Sequence, residues 1–85
     1  MILMFYVYVL RSETTGRFYT GSTQDLDSRL VEHNSNCATA TKNRGPWRLV
    51  HSEAFATRKE AVARERYFKT GKGRIELEAI LCVKT

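Results

Sequence analysis

Phe5-Tyr6-Val7-Tyr8-Val9-Leu10, the turn-forming Ser12-Glu13-Thr14-Thr15-Gly16 and the resumed run Arg17-Phe18-Tyr19-Thr20-Gly21 decide the fold. The first run, which reaches back to Leu3, is rich in Val, Tyr and Phe, the composition of a buried strand. A short Gly-containing loop followed by a second extended run predicts an antiparallel hairpin. In such a hairpin Tyr8 and Tyr19 lie on neighbouring strands, close enough to face one place.

Outward from the hairpin, Gly21 reads as the end of the second strand. Ser22-Thr23-Gln24-Asp25 then offers several N-cap oxygens for a helix running to about His33 or Asn34. Leu26 and Leu30 form its inward stripe. Arg29 and His33 make a second i, i+4 pair at the boundary of the buried face, where they look into a cleft; Glu32 projects away from the stripe. Residues 35–46 read as a polar loop whose Lys42 and Arg44 can touch a phosphate backbone. Trp47 to Phe55 reads as a third strand, with Trp47 and Leu49 on one face and Val50 on the other. Thr57-Arg58-Lys59-Glu60 fits a capping box that opens a helix to about Lys69. Ala61, Val62 and Phe68 define its apolar face, and Glu65 falls in the middle of it. A carboxylate there is costly unless it is paired, hydrogen-bonded or bound to a metal. Thr70-Gly71-Lys72-Gly73-Arg74 reads as a basic break before a short last helix from Ile75 to about Leu81.

The 85 residues make one domain, 1–85, with a thin core. Fourteen Lys and Arg against nine Asp and Glu give a net charge of +5. The pI near 9.6 agrees. This balance favours a polyanionic partner, nucleic acid first, and a membrane is not expected. Cys37 and Cys82 have no metal-like spacing and read as free thiols in a reducing compartment. The opening apolar run is too short to span a bilayer and ends in Arg11-Ser12-Glu13, so it reads as a strand and the expected location is the cytoplasm.

Two phenols, a guanidinium, an imidazole and a carboxylate form a toolkit for cutting a phosphodiester. Glu65 can hold Mg²⁺, which needs only one or two carboxylates when substrate oxygens complete its shell. Arg29 suits a scissile phosphate, and His33 can relay a proton near neutrality. A tyrosine is a poor base unless a cation lowers its pKa. Each residue also has a structural role open to it. The tyrosines can pack, Arg29 can be solvated, His33 can sit at a helix C-terminus as a cation favoured by the macrodipole, and Glu65 can pair with Arg29 or Lys69. Nothing in the sequence suggests a zinc cluster or a Gly-rich phosphate loop.

In order along the chain, 5–12, 16–23, 25–34, Gly45-Pro46-Trp47-Arg48-Leu49-Val50, Glu60-Ala61, Arg64-Glu65 and Gly71-Lys72-Gly73-Arg74 together resemble the GIY-YIG nuclease domain. The likeness is to its small stand-alone members, which are related to the N-terminal domain of excinuclease C. Val7-Tyr8-Val9 and Tyr19-Thr20-Gly21 replace the literal triplets with β-branched swaps that suit strands. Every Asn precedes Trp47, so the asparagine that several members carry after the glutamate helix is either replaced by Lys69 or Lys72 or its role is absent. The resemblance implies an α+β fold, a three-stranded antiparallel sheet flanked by about three helices. It implies one-metal phosphodiester hydrolysis with Mg²⁺ or Mn²⁺. Tyr8 and Tyr19 would position and activate water, one of them as general base; Arg29 would stabilise transition-state charge, His33 would assist proton transfer or bind phosphate, and Glu65 would be the metal ligand. Lys42, Arg44, Lys69, Lys72 and Arg74 are the candidate nucleic-acid contacts. The expected substrate is DNA, single-stranded, branched or duplex, in repair or processing, acted on by a monomer or weak homodimer with room for a targeting partner. A nucleic-acid-binding module with little or no cleavage is the alternative.

Overall fold

Four consecutive buried residues, Val7, Tyr8, Val9 and Leu10, mark the strand around which the chain is built. The computed structural model describes residues 4–35 and 45–82, apart from the Cys82 side chain. The expected contacts Lys42 and Arg44, and Cys37, lie outside the described residues. The elements run β1 (Phe5–Ser12), β2 (Phe18–Thr23), α1 (Leu26–Asn34), β3 (Trp47–Phe55), α2 (Arg58–Phe68) and α3 (Gly71–Cys82). The sheet order is β2-β1-β3, with both pairings antiparallel. This is the expected α+β architecture. No helix among the described residues is long and apolar enough to cross a membrane.

β1 is buried on both faces because each face carries its own layer. Val7 and Val9 pack with Ala61, Phe68 and Leu77 of α2 and α3. Tyr8 and Leu10 pack with Trp47, and Tyr19, Leu26 and Leu30 close over them. Strand alternation therefore sends the chemistry-bearing Tyr8 to the α1 face and leaves the valines to the larger core. Between β1 and β3 the register slips: Val9 pairs with His51 and Leu10 with Leu49, which leaves Val50 as the extra residue of a bulge. Val50 packs into the α2 and α3 core, as its place in the alternation predicts.

Local polar bonds fix where each element begins. The Asp25 carboxylate caps α1 by accepting from the Ser28 N–H at 3.1 Å and the Ser28 hydroxyl at 3.0 Å. Thr57 caps α2 as expected, its hydroxyl accepting from Glu60 N–H at 3.2 Å. The glutamate returns to the hydroxyl of Thr57, at 3.1 Å, in place of its backbone N–H. Asn34 uses both ends of its amide on one backbone unit: Nδ2 donates to the Trp47 carbonyl at 3.0 Å, and Oδ1 accepts from Trp47 N–H at 2.6 Å. The end of α1 is thus clasped to the start of β3. Arg64 spans three elements, binding Glu53 of β3 at 2.8 Å and Glu76 of α3 at 2.6 Å, over the Phe68 ring.

Two sequence expectations require correction. Gly21 does not end the second strand; it lies within β2, opposite Tyr8. The basic stretch 70–74 is not a break, because α3 begins at Gly71. Glycines argue against helix by propensity, but Thr70 supplies the missing cap: its hydroxyl accepts from Gly73 N–H at 3.0 Å, and its carbonyl accepts from Arg74 N–H at 2.9 Å. The two glycines then differ. Gly71 has nothing within 4 Å of an added Cβ, whereas a Cβ on buried Gly73 would penetrate the Tyr67 carbonyl. Gly71→Ala is expected to stabilise the fold by about 0.5–1 kcal/mol. Gly73→Ala is expected to destabilise it by about 1–3 kcal/mol, because rigid backbone must move. Denaturant melts of the two variants check the contrast, and equal effects would contradict it.

Candidate active site

The β1–β2 register builds the site. Tyr8 pairs with Gly21, and Leu10 pairs with Tyr19. Cross-strand partners share a face, so both phenols point to the α1 side. Their ring centroids lie 6.3 Å apart. On the β2 side Tyr8 has no side chain opposite it and occupies the space over Gly21. A Cβ built on Gly21 would lie 2.5 Å from the Tyr8 hydroxyl oxygen.

α1 supplies the other two groups. His33, on its last turn, is 0% exposed. The boundary position expected for it is therefore too shallow: the ring is core, enclosed by Tyr8 and Tyr19 with centroids at 5.8 Å and 5.0 Å. Its Nε2 lies 3.0 Å from the Tyr8 hydroxyl. Arg29, one turn earlier and half-buried, donates from Nε to the same hydroxyl at 3.3 Å. Its Nη1 donates to Glu32 at 2.6 Å. Guanidinium nitrogens only donate, so the Tyr8 oxygen accepts from Arg29 and has its own proton to give to neutral His33. The result is a directed chain from Arg29 through Tyr8 to His33.

Electrostatics support that direction. Burial raises the Tyr8 pKa above its ordinary value, and the nearby Tyr19 and Glu65 charges add to it, while the Arg29 hydrogen bond opposes. Tyr8 is thus a neutral phenol at rest. Burial, reinforced by the Arg29 charge, holds His33 below the ordinary imidazole value. The unfolded chain accepts this proton more readily than the folded one. Stability linked to the neutral ring is therefore complete above about pH 6.5 and is lost as pH falls through the folded value. Asp25 is held low by the Ser28 bonds, and Glu76 by Arg64, so neither titrates in this window. Melts between about pH 7 and 5 should show stability falling by at most ~1.4 kcal/mol per pH unit, and His33→Gln should flatten the slope. An unchanged slope would assign the effect elsewhere.

Glu65 approaches from α2. Its partner is Lys69, one turn on, at 2.9 Å, so of the two structural pairings expected the one with Arg29 is not made. Glu65 has no hydrogen bond to the Tyr8, Tyr19, Arg29 and His33 cluster, yet its charge reaches Tyr8. Among the described residues no three His, Cys, Asp or Glu side chains group as a metal nest. As the expected ligand, Glu65 would offer one carboxylate. That fits Mg²⁺, which keeps several waters and takes substrate oxygens, better than zinc, which needs three or four protein ligands. Of the candidate nucleic-acid contacts, Lys69, Lys72 and Arg74 are exposed on the turn into α3 and its first residues.

Sequence reasoning set aside two residues that matter here. Glu32 does leave the leucine stripe, and from there it holds Arg29; the i, i+3 spacing of opposite charges was the available signal. Gly21 leaves room for the Tyr8 ring, a role visible only once the strand register is known.

A family model, the GIY-YIG catalytic domain, matches residues 4–77. A UPF0213 protein of Clostridium perfringens is 43% identical over 67 residues, covering 78% of this chain and 71% of that protein. A UPF0213 protein of Halobacterium salinarum is 41% identical over 63 residues, covering 73% of this chain and 80% of its own length. The solution NMR structure of a UPF0213 protein from Bacillus halodurans superposes with a TM-score of 0.56 at 36% identity, covering 92% of this chain and 85% of that one.

Proposed function

The chain belongs to the GIY-YIG catalytic-domain family, and from that premise we propose that it is a metal-dependent endonuclease that hydrolyses phosphodiester bonds in DNA. The observation that carries this reading is the Arg29–Tyr8–His33 hydrogen-bond chain. It couples a phosphate-binding cation to a phenol whose proton already has an acceptor.

In this mechanism Arg29 binds the scissile phosphate through Nη2, which has no hydrogen-bond partner among the described residues, while Glu32 and Tyr8 hold the rest of the guanidinium in place. Charge on the non-bridging oxygens is neutralised as it develops. Tyr8 is the general base: its oxygen takes a proton from the attacking water as its own proton passes to His33 Nε2. The water oxygen bonds to phosphorus, and the leaving alkoxide departs and is protonated by solvent. Direct proton loss from Tyr8 at neutral pH is unfavourable, so the concerted transfer to neutral His33 is what makes the phenol usable. Tyr19 packs against the His33 ring and keeps it aligned. Glu65 would hold Mg²⁺ or Mn²⁺, which when bound supplies Lewis-acid stabilisation of phosphate and leaving-group oxygens. Lys69, Lys72 and Arg74, with Lys42 and Arg44, would contact flanking phosphates. The activity fits a DNA processing or repair step in the cytoplasm, carried out by a monomer or weak homodimer.

The test is a cleavage panel of single-stranded, branched and duplex oligonucleotides with Mg²⁺, Mn²⁺ or a chelator. Product is expected with either metal and none in chelator. Cleavage unaffected by chelator would overturn the metal-dependent mechanism. Salt-sensitive binding with no product under any condition would leave a binding module instead.

A further inference from the structure

We propose that the groove between the β2 edge and α3 is a subsite for one unpaired nucleotide of the substrate strand, next to the Lys69–Glu65 pair, its base laid on Phe18 and its backbone held by Arg17 and Arg74. The proposal rests on the nuclease reading and names the form of its substrate. The groove encloses about 550 Å³, within the ~300–1,000 Å³ range of small-ligand sites. Phe18 stands on its wall with 47% of its surface exposed, a large aromatic left wet in a domain short of core. The Arg11 guanidinium sits 5.8 Å from the Phe18 ring centroid, an arrangement that strengthens stacking. Phe68, Leu77 and Leu81 supply the apolar remainder.

The charged lining decides the class of ligand. Arg17, Lys69 and Arg74 face it, against Glu78. Lys69 is engaged by Glu65, but the Arg17 and Arg74 guanidinium groups make no ion pair or hydrogen bond among the described residues. Two uncommitted guanidiniums beside an exposed aromatic match a nucleotide, which brings phosphate and a π-face together. Glu78 suits an exocyclic amino group of a base.

Position ties the groove to the chemistry. Lys69 lines the groove and also binds Glu65, while the Tyr19 ring lies on the other face of the sheet, against His33. A nucleotide seated in the groove therefore lies beside the Lys69–Glu65 pair. A base within a duplex already has both faces stacked, so only an unpaired nucleotide, in a single strand, a flap or a frayed end, can use Phe18.

The test reads binding in chelator, without cleavage, by fluorescence anisotropy of a labelled oligothymidine and of a duplex of equal length. Phe18→Ala should weaken oligothymidine binding on the order of 10-fold and duplex binding by less than about 2-fold, with Phe18→Trp restoring the single-strand affinity. Arg17→Gln combined with Arg74→Gln should lower the single-strand log–log salt slope by roughly 1.4. No oligothymidine binding by the unmodified protein, no loss in Phe18→Ala, or equal losses on both ligands would overturn the subsite. Because the measurement needs no turnover, its failure beside intact metal-dependent cleavage would sink the subsite alone. Absence of cleavage beside the expected binding differences would sink only the nuclease reading.

Discussion

Glu65→Ala is expected to lower the cleavage rate by roughly 10³-fold, the scale of losing one preorganised electrostatic group at a developing charge. Glu65 approaches the Tyr8 cluster from α2, and its charge reaches Tyr8. Among the described residues no group of three His, Cys, Asp or Glu side chains stands ready to hold a metal in its place. The fold should barely respond. The interaction lost is an i, i+4 pair with Lys69, whose side chain is 54% exposed, and such pairs contribute only about 0.3–0.5 kcal/mol. Lys69→Ala removes the same ion pair and should match Glu65→Ala in stability, while its loss of rate stays far smaller because only one flanking-phosphate contact goes. Single-turnover rates with Mg²⁺ titrations for both variants, alongside thermal melts, check the pattern. Less than about a 10-fold loss in Glu65→Ala would remove it from the metal-binding role.

Gly21→Ala is expected to cost at least about 100-fold in rate and to weaken the fold as well. The added methyl would lie 2.5 Å from the Tyr8 oxygen and 2.7 Å from its Cζ. Ordinary contact requires the phenol to retreat by about 1 Å, and a displacement of that size in catalytic geometry can cost ~10²-fold. Retreat is not free, because Tyr8 is 1% exposed and tied to both Arg29 and His33. The stability loss should fall near the ~1–3 kcal/mol of core overpacking. A second measurement separates the causes. Gly21→Ala combined with Tyr8→Phe should lose little more activity than either change alone, since both act on one hydroxyl. Fully multiplicative losses would mean that Gly21 acts elsewhere.

Much of this was legible in the order of residues. The Val- and Tyr-rich run, its turn and the second strand specified the hairpin. The Ser22–Asp25 stretch and Thr57 marked the starts of α1 and α2, and the i, i+4 spacing put Arg29 and His33 on one side of α1. Three matters depended on information that local reading lacks. Burial of His33 depends on how closely α1 settles against Tyr8 and Tyr19, a tertiary quantity. Gly21 looked like a strand breaker because propensity averages over contexts, whereas here its missing side chain is the space a tyrosine needs. The start of α3 was hidden for the converse reason: Gly71 and Gly73 are poor helix formers, but the Thr70 cap and the close approach to Tyr67 outweigh propensity.

The paired hydrogen bonds between Asn34 and the Trp47 backbone have a consequence for insertions. Chain leaving α1 and chain entering β3 are pinned to each other by a side-chain amide, so the intervening stretch does not have to set the separation of its own ends. Closing a longer loop costs only about 0.6 kcal/mol per doubling of length. An insertion between Ser35 and Gly45 is thus expected to leave the spacing of α1 and β3 unchanged. A flexible Gly-Ser insert there should leave the melting temperature nearly unchanged, whereas the same insert in an Asn34→Ala background should lower it.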